Sequence, residues 1–192
     1  MKQYTSCFIG VPLPEKYQED FEKLLTGIEK LHPDWEIAYS KTPHITVYYL
    51  DKQSQHTIPA IVSTIRTKLS FIENLNLKIE GFDYFTKTDP RGGILFLNVL
   101  YPPNFVKFNQ TLKNKLDQYY SADNNLPFHP HMTIARIKGL TKGSNFKTHI
   151  SQISQKINKI YWKFPVTEIV LYGVDSTKQP QHQEKLVSIF AK

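Results

Sequence analysis

The sequence predicts a pseudo-symmetric fold of two lobes that mix α and β structure. A β-α-β-α-β order of periodic segments occurs twice, and each copy carries a Pro-His-apolar-Thr-apolar segment at a corresponding place. His44 lies 40 residues after Tyr4, and His131 lies 37 residues after Ile94, where the two copies begin. We therefore expect two similar lobes that each present one His-Thr strand.

The first copy begins with a strand and an amphipathic helix. Apolar residues follow the first strand at helical spacing until Pro33, and Pro14 suits the first turn of that helix. Three strands and one further helix then complete the copy. Its predicted strands are residues 4–13, 35–40, 43–50 and 75–85, and its second helix is residues 54–71.

The second copy repeats the order of the first. A turn rich in Gly and Pro at residues 87–93 marks the divide between them. The predicted strands are residues 93–100, 129–138, 164–174 and 184–191, and the predicted helices are residues 105–120 and 145–160. Residues 174–185 form the most loop-like stretch, and we expect residues 1–192 to make a single domain of two intertwined lobes.

Composition narrows the class of protein. A chain of 192 residues with 40% apolar side chains can bury a substantial core. The net charge of +7 favours an anionic partner, and solubility alone explains it equally well. Cys7 is the sole cysteine, which excludes an intrachain disulfide and a cysteine zinc cluster. The apolar run before Pro12 is too short for a signal peptide or a membrane span, so we expect a cytoplasmic protein without membrane contact. We also expect a monomer.

The two motif strands are the chemically informative segments. Because side chains alternate along a strand, His44 and Thr46 share one face, and so do His131 and Thr133. Two imidazoles around one phosphodiester can take a proton from the attacking oxygen and give one to the leaving oxygen. Two hydroxyls can donate to the non-bridging oxygens, and the scheme requires no metal or other cofactor.

Two neighbouring residues leave alternatives open. Arg136 points to the face opposite His131 if the strand is regular, whereas a bulge returns it to the side where a guanidinium can hold a phosphate. His129 lies on the same strand face as His131, so the two could form a metal-binding pair. We favour instead that His129 lines the edge of the cleft or is merely exposed before Pro130.

The paired motifs, 44–47 and 131–134, resemble those of the two-histidine phosphoesterase superfamily. Within it, the chain is most similar to the RNA 2′,3′-cyclic phosphodiesterases, historically named 2′-5′ RNA ligases. The opening strand, Arg136 and the segment 168–174 add to the resemblance. It implies an α+β fold in which two antiparallel sheets face a central cleft, with helices outside.

The resemblance also implies roles for the motif residues. His44 is then the proton donor and His131 the proton acceptor that activates water, with Thr46 and Thr133 holding the phosphate. The geometry of two neutral imidazoles does not by itself assign donor and acceptor. Arg136 is a further phosphate-binding candidate.

Three aromatic residues are weighed as substrate contacts. Tyr48 follows the first motif where the family often has a basic residue, and in a regular strand it shares the face of His44 and Thr46. It therefore either stacks on a base or bonds a phosphate, or it is a packing residue. Phe128, before the second motif, is more readily explained by packing, and Tyr172 is suggested by the resemblance alone.

We therefore expect a metal-independent phosphodiesterase. Its substrate is a 2′,3′-cyclic phosphate RNA end, converted to a 2′-phosphate, or a related 2′-5′-linked or cyclic nucleotide. The family's name adds a weak, reversible 2′-5′ RNA ligase activity. The alternatives are a noncatalytic module that binds RNA ends and a metal hydrolase that uses the HPH segment.

Overall fold

The computed structural model describes residues 3–38, 42–86, 93–119, 127–137, 151, 153–155, 157–175 and 182–191. Within them lie nine strands and three α-helices that are described from end to end, together with part of a further helix near residues 151–157. The strands are β1 (Gln3–Pro12), β2 (Glu36–Ile37), β3 (His44–Ser54), β4 (Asn76–Phe85), β5 (Gly93–Leu100), β6 (His131–Ile137), β7 (Tyr161–Pro165), β8 (Glu168–Asp175) and β9 (His182–Phe190). The helices are α1 (Gln18–Leu31), α2 (Ile58–Arg66) and α3 (Pro103–Leu116).

The described strands form two antiparallel sheets. The four-stranded sheet has the order β3-β1-β8-β9, and the five-stranded sheet has the order β2-β6-β5-β4-β7. The α+β class and the two antiparallel sheets implied by the resemblance are therefore confirmed.

The two halves of the chain exchange strands. The pair β1 and β3 in the first half corresponds to the pair β5 and β6 in the second half. Strand β4 then leaves the first half to pair with β5, and β8 leaves the second half to pair with β1. Each sheet is thus built from both halves, and the two motif strands β3 and β6 pack against each other.

The helices bury one face each. Helix α1 buries Phe21, Leu24, Leu25 and Ile28, α2 buries Ile61, Val62 and Ile65, and α3 buries Phe105, Phe108, Leu112 and Leu116. Both α2 and α3 carry a proline in the first turn, where its missing N–H costs no helical hydrogen bond. Among the described residues, no helix combines the length and apolarity needed to cross a membrane.

Three predicted boundaries are wrong. Residues 164–174 are not one strand, because β7 ends at Pro165 and the chain turns into the other sheet, where β8 begins at Glu168. Buried Val166 keeps the apolar alternation going through this corner, and its N–H donates to the Leu75 carbonyl. The predicted loop 174–185 is strand at both ends, and the predicted strand 35–40 reduces to Glu36–Ile37 among the described residues.

Some predicted features fall outside the described residues. The turn at residues 87–93 does so except for Gly93, which begins β5. The helix at 145–160 is described only from residue 151, where residues 153–155 are helical and both Ile153 and Ile157 are buried in the core.

Both motif strands contain a β-bulge at the same place. Thr46 pairs with Gly10 and Tyr48 with Ile9, so Val47 is the extra residue of β3. In β6, Thr133 pairs with Phe96 and Ala135 with Leu95, so Ile134 is extra. The residue that follows each motif threonine therefore interrupts the ladder, and the alternation of faces shifts after it.

Helix α3 supports the first bulge. The Nδ2 of Asn109 donates to the carbonyl oxygen of Val47 at 2.6 Å, in a partly buried position. A bulged residue loses ladder hydrogen bonds, and this side chain supplies one in their place.

We expect Asn109→Ala to lower the free energy of unfolding by about 1–3 kcal/mol, because the Val47 carbonyl loses its donor. Urea denaturation measures the change. The matched control is Asn114→Ala on the exposed side of the same helix, which should change stability by less than about 0.5 kcal/mol. Equal stability of the two variants would show that the bulge does not depend on Asn109.

Candidate active site

The motif side chains alternate between core and surface as predicted. His44 and Thr46 are partly exposed, while Ile45 lies fully in the core. His131 and Thr133 are likewise partly exposed on either side of buried Met132. Each strand is anchored by its apolar face and turns one imidazole and one hydroxyl outward.

A backbone carbonyl two residues earlier fixes each imidazole. The Nδ1 of His44 lies 2.8 Å from the Thr42 carbonyl oxygen, and the Nδ1 of His131 lies 2.7 Å from the His129 carbonyl oxygen. A carbonyl only accepts, so Nδ1 carries the hydrogen in both rings. Nε2 is then the atom of each ring that takes up and releases a proton.

The proline before each histidine helps to place this carbonyl. Pro43 and Pro130 are both buried, and a proline holds the residue before it in an extended conformation. The repeated Pro-His pair of the sequence thus corresponds to a repeated structural device. His129 contributes to it through its backbone, which any residue at that position would supply.

His44 rests on an aromatic layer. Its ring centroid lies 4.5 Å from that of Phe8 and 5.1 Å from that of Tyr172, and the two aromatic rings stack on each other at 4.9 Å. Gly10 makes room for this arrangement, since a Cβ there would lie 3.2 Å from the Tyr172 ring and 3.5 Å from the His44 ring. The absence of a side chain at Gly10 therefore leaves space mainly for the Tyr172 ring, against which His44 packs.

Although the His44 side chain is partly exposed, its packing on this layer removes water from the ring and lowers its pKa to about 4. The hydrogen bond to the Thr42 carbonyl opposes the shift, and the charge of His131 adds to it. Each imidazolium therefore disfavours the other, so the pair prefers to carry one proton at a time. The packing of β3 on β6 places the two sequence-predicted histidines within electrostatic range of each other.

His131 has a different aromatic environment. Its ring lies 5.0 Å from Phe96 and 5.4 Å from Phe85, and the exposed His129 ring contacts the same two phenylalanines. Phe96 stands opposite Thr133, where Gly10 stands opposite Thr46 in the first motif. The pseudo-symmetry thus ends at the side chains, and the two histidines are inequivalent.

The bulge in β3 corrects the prediction for Tyr48. Because Val47 is the extra residue, Tyr48 no longer shares the face of His44 and lies in the hydrophobic core, 4% exposed. Tyr49 takes that face instead and packs against the cluster of Phe8 and Tyr172. Two successive apolar residues after the threonine were the signal of this shift.

The bulge in β6 places Arg136. Ile134, Ala135 and Ile137 are buried, and Arg136 is exposed between the last two. The bulge at Ile134 shifts the alternation of side chains by one residue. Arg136 therefore lies on the same side of the strand as His131 and Thr133, as predicted for a bulged strand.

The remaining two aromatic candidates, Phe128 and Tyr172, have different surroundings. Phe128 is half-buried against Phe105 and Tyr101, with ring centroids 5.6 and 6.0 Å away, so it packs on α3. Tyr172 is fully buried beneath His44, and its Oη has no hydrogen-bond partner among the described residues. Burial raises the pKa of Tyr172, so the hydroxyl stays protonated.

Sequence reasoning missed three residues around His44. Phe8 and Gly10 lie on β1, and Gln183 lies on β9, where its Nε2 is 3.1 Å from the His44 Nδ1. Their closeness depends on strand order, for which the sequence carries no local signal. Among the residues that the structure describes, no group of three or more His, Cys, Asp or Glu side chains could hold a metal ion.

Comparison with known proteins identifies the family. Residues 14–178 match the model of the 2′-5′ RNA ligase superfamily. The chain belongs to this superfamily. The membership suggested by the paired motifs is confirmed.

Relatives of this superfamily member cover nearly its whole length. The RNA 2′,3′-cyclic phosphodiesterase of Bacillus subtilis (strain 168) is 25% identical in an alignment 184 residues long, and the alignment covers 92% of this chain and 92% of the relative. A solved structure from Thermus thermophilus has a TM-score of 0.71 at 17% identity, covering 97% of both chains. E. coli LigT complexed with 3′-AMP has a TM-score of 0.70 at 16% identity, covering 100% of this chain and 99% of LigT.

These likenesses set the coarse function. The two solved structures share the fold, and the superfamily acts on RNA or nucleotide substrates. Membership and the curated relative support an activity of the two-histidine phosphoesterase type.

We expect the His44 imidazole to titrate near pH 4, because burial against Phe8 and Tyr172 lowers its pKa to about 4. NMR of the histidine side chains measures the midpoint. Phe8→Ala admits water to the ring and should move the midpoint upward, toward the ordinary value of about 6.5. The control Phe190→Ala removes a ring that is 66% exposed and should leave the midpoint in place. A wild-type midpoint near 6.5 would contradict the buried environment.

Proposed function

We propose that the protein is a phosphodiesterase that opens 2′,3′-cyclic phosphates at RNA ends to 2′-phosphates by acid-base catalysis between His44 and His131. The observation that carries the proposal is the paired Nδ1 contact to a backbone carbonyl, which gives both imidazoles an Nε2 able to exchange protons. The electrostatic coupling of the two rings supports their action on one phosphate.

The reaction needs one imidazole as the proton acceptor and the other as the proton donor. In the direction that the superfamily resemblance implies, Nε2 of His131 takes a proton from water while the water oxygen attacks phosphorus. The bond from phosphorus to the 3′ oxygen breaks, and the Nε2 proton of His44 goes to that oxygen. Thr46 and Thr133 donate to the non-bridging oxygens, and exposed Arg136 adds positive charge on the same side.

The depressed pKa of His44 bears on how it becomes the donor. In the unliganded protein this ring is neutral at pH 7, since its pKa is about 4. A bound phosphate anion favours the imidazolium, so substrate binding itself loads the proton onto His44. The required state carries one proton on the pair, and the pH profile of kcat/KM is expected to be bell-shaped, with limbs that belong to the pair.

The substrate class is tested by turnover. We expect an oligoribonucleotide ending in a 2′,3′-cyclic phosphate to give the 2′-monoester, identified by phosphorus NMR. EDTA should not change the rate, which separates this proposal from a metal hydrolase. Matched reactions on 2′-5′ oligoadenylate and cyclic dinucleotides rank the alternatives, and salt-sensitive binding without turnover on every substrate would instead indicate a noncatalytic binding module.

The two roles are tested by the leaving group. His44→Ala and His131→Ala should each slow turnover of the cyclic phosphate by at least about 100-fold. The 4-nitrophenolate of a 4-nitrophenyl phosphodiester leaves as the anion and needs no proton from the enzyme. With this substrate His44→Ala should lose only about tenfold or less in turnover rate, while His131→Ala should keep its large loss. The reverse pattern would exchange donor and acceptor, and full activity of either variant on the cyclic phosphate would refute the mechanism.

A further inference from the structure

Gln183 reaches His44 from the opposite edge of the four-stranded sheet. Strand β9, which carries Gln183, and strand β3, which carries His44, are the two outer strands, with β1 and β8 between them. At the usual spacing of about 4.8 Å per strand, a flat sheet would separate the two backbones by about 14 Å. The side chains nevertheless approach to 3.1 Å, between Nε2 of Gln183 and Nδ1 of His44.

The residues beneath the contact between Gln183 and His44 show how the two side chains meet. The His44 ring lies above Gly10 of β1, where a Cβ would be in van der Waals contact with it at 3.5 Å, and beside Tyr172 of β8. Gln183 pairs in register with the part of β8 that follows Tyr172, opposite Val174. The amide therefore closes over the same face of the sheet as the imidazole.

The hydrogen-bond chemistry at Nδ1 decides what the amide can contribute. The Thr42 carbonyl, 2.8 Å away, requires a hydrogen on Nδ1. A half-turn of the Gln183 side-chain amide exchanges its two nearly isosteric ends, and the oxygen is the end that accepts from this N–H. The Nδ1 hydrogen is then shared between two acceptors, one from the backbone and one from the far edge of the sheet.

We propose that Gln183 is a positioning residue for His44, whose amide oxygen shares the Nδ1 hydrogen with the Thr42 carbonyl and holds the ring in its plane and tautomer. Its catalytic consequence rests on the proposed function, whereas the contact itself does not. Both the neutral ring and the imidazolium keep the hydrogen on Nδ1, so the amide supports His44 in both states of a proton-transfer cycle. This hydrogen bond stabilises the imidazolium more than the neutral ring, because the N–H groups of the imidazolium carry more positive charge.

The test compares two changes at Gln183. Gln183→Met keeps the length of the side chain and removes its acceptor, whereas Gln183→Glu keeps an acceptor and adds a negative charge beside Nδ1. We expect the Glu variant to raise the NMR titration midpoint of His44 by about one pH unit or more. We expect the Met variant to lower kcat between about 10-fold and 100-fold with little change in KM, and the Glu variant to recover part of this loss. Gln110→Met, at an exposed position of α3, is the matched control and should change neither quantity.

The outcomes separate this inference from the proposed function. If the Glu variant leaves the His44 midpoint within about 0.2 pH units of wild type, Gln183 does not act on His44 and the inference is wrong, whatever the activity. If the midpoint responds but wild type turns over no phosphodiester, the positioning contact stands and the proposed function fails. Equal losses of kcat in the Met and Glu variants, with an unmoved midpoint, would indicate a purely structural residue.

Discussion

The site depends on one contact made twice, the hydrogen bond from an imidazole Nδ1 to the carbonyl oxygen of the residue two positions earlier. At His44 the acceptor is Thr42, and at His131 it is His129. This bond selects the tautomer, and it turns the basic nitrogen of each ring away from its own strand. The proline between acceptor and histidine restrains the local backbone, so three consecutive residues are enough to form this hydrogen bond.

The exchange of strands turns two such devices into one site. Because β4 and β8 cross between the halves, neither half has a sheet of its own, and the motif strands β3 and β6 are held in contact. The same construction makes the histidines unequal. Gly10 leaves space for Tyr172, against which His44 packs together with Phe8, while Phe96 occupies the corresponding place beside His131. Two imidazoles in different environments can divide the roles of acid and base.

Local sequence patterns were enough to predict most of the strands and helices and the two motif histidines with their threonines. Helix and strand periods and the repeated motif depend on neighbouring residues, so the motif strands and the amphipathic helices could be predicted. Tyr48 was misplaced because a bulge shifts the alternation after Val47. The corner at Val166 was missed because apolar alternation continues through it. The contact of Gln183 with His44 depends on the order of four strands, which no local period encodes.

The proposed mechanism requires both imidazoles to face a single phosphate. The most direct test follows the side-chain NMR signals of His44 and His131 while a nucleoside 2′-monophosphate, the proposed kind of product, is added. Both signals should move with the same dissociation constant, and the titration midpoint of His44 should rise above its unliganded value of about 4. A response from only one histidine, or two different dissociation constants, would contradict it.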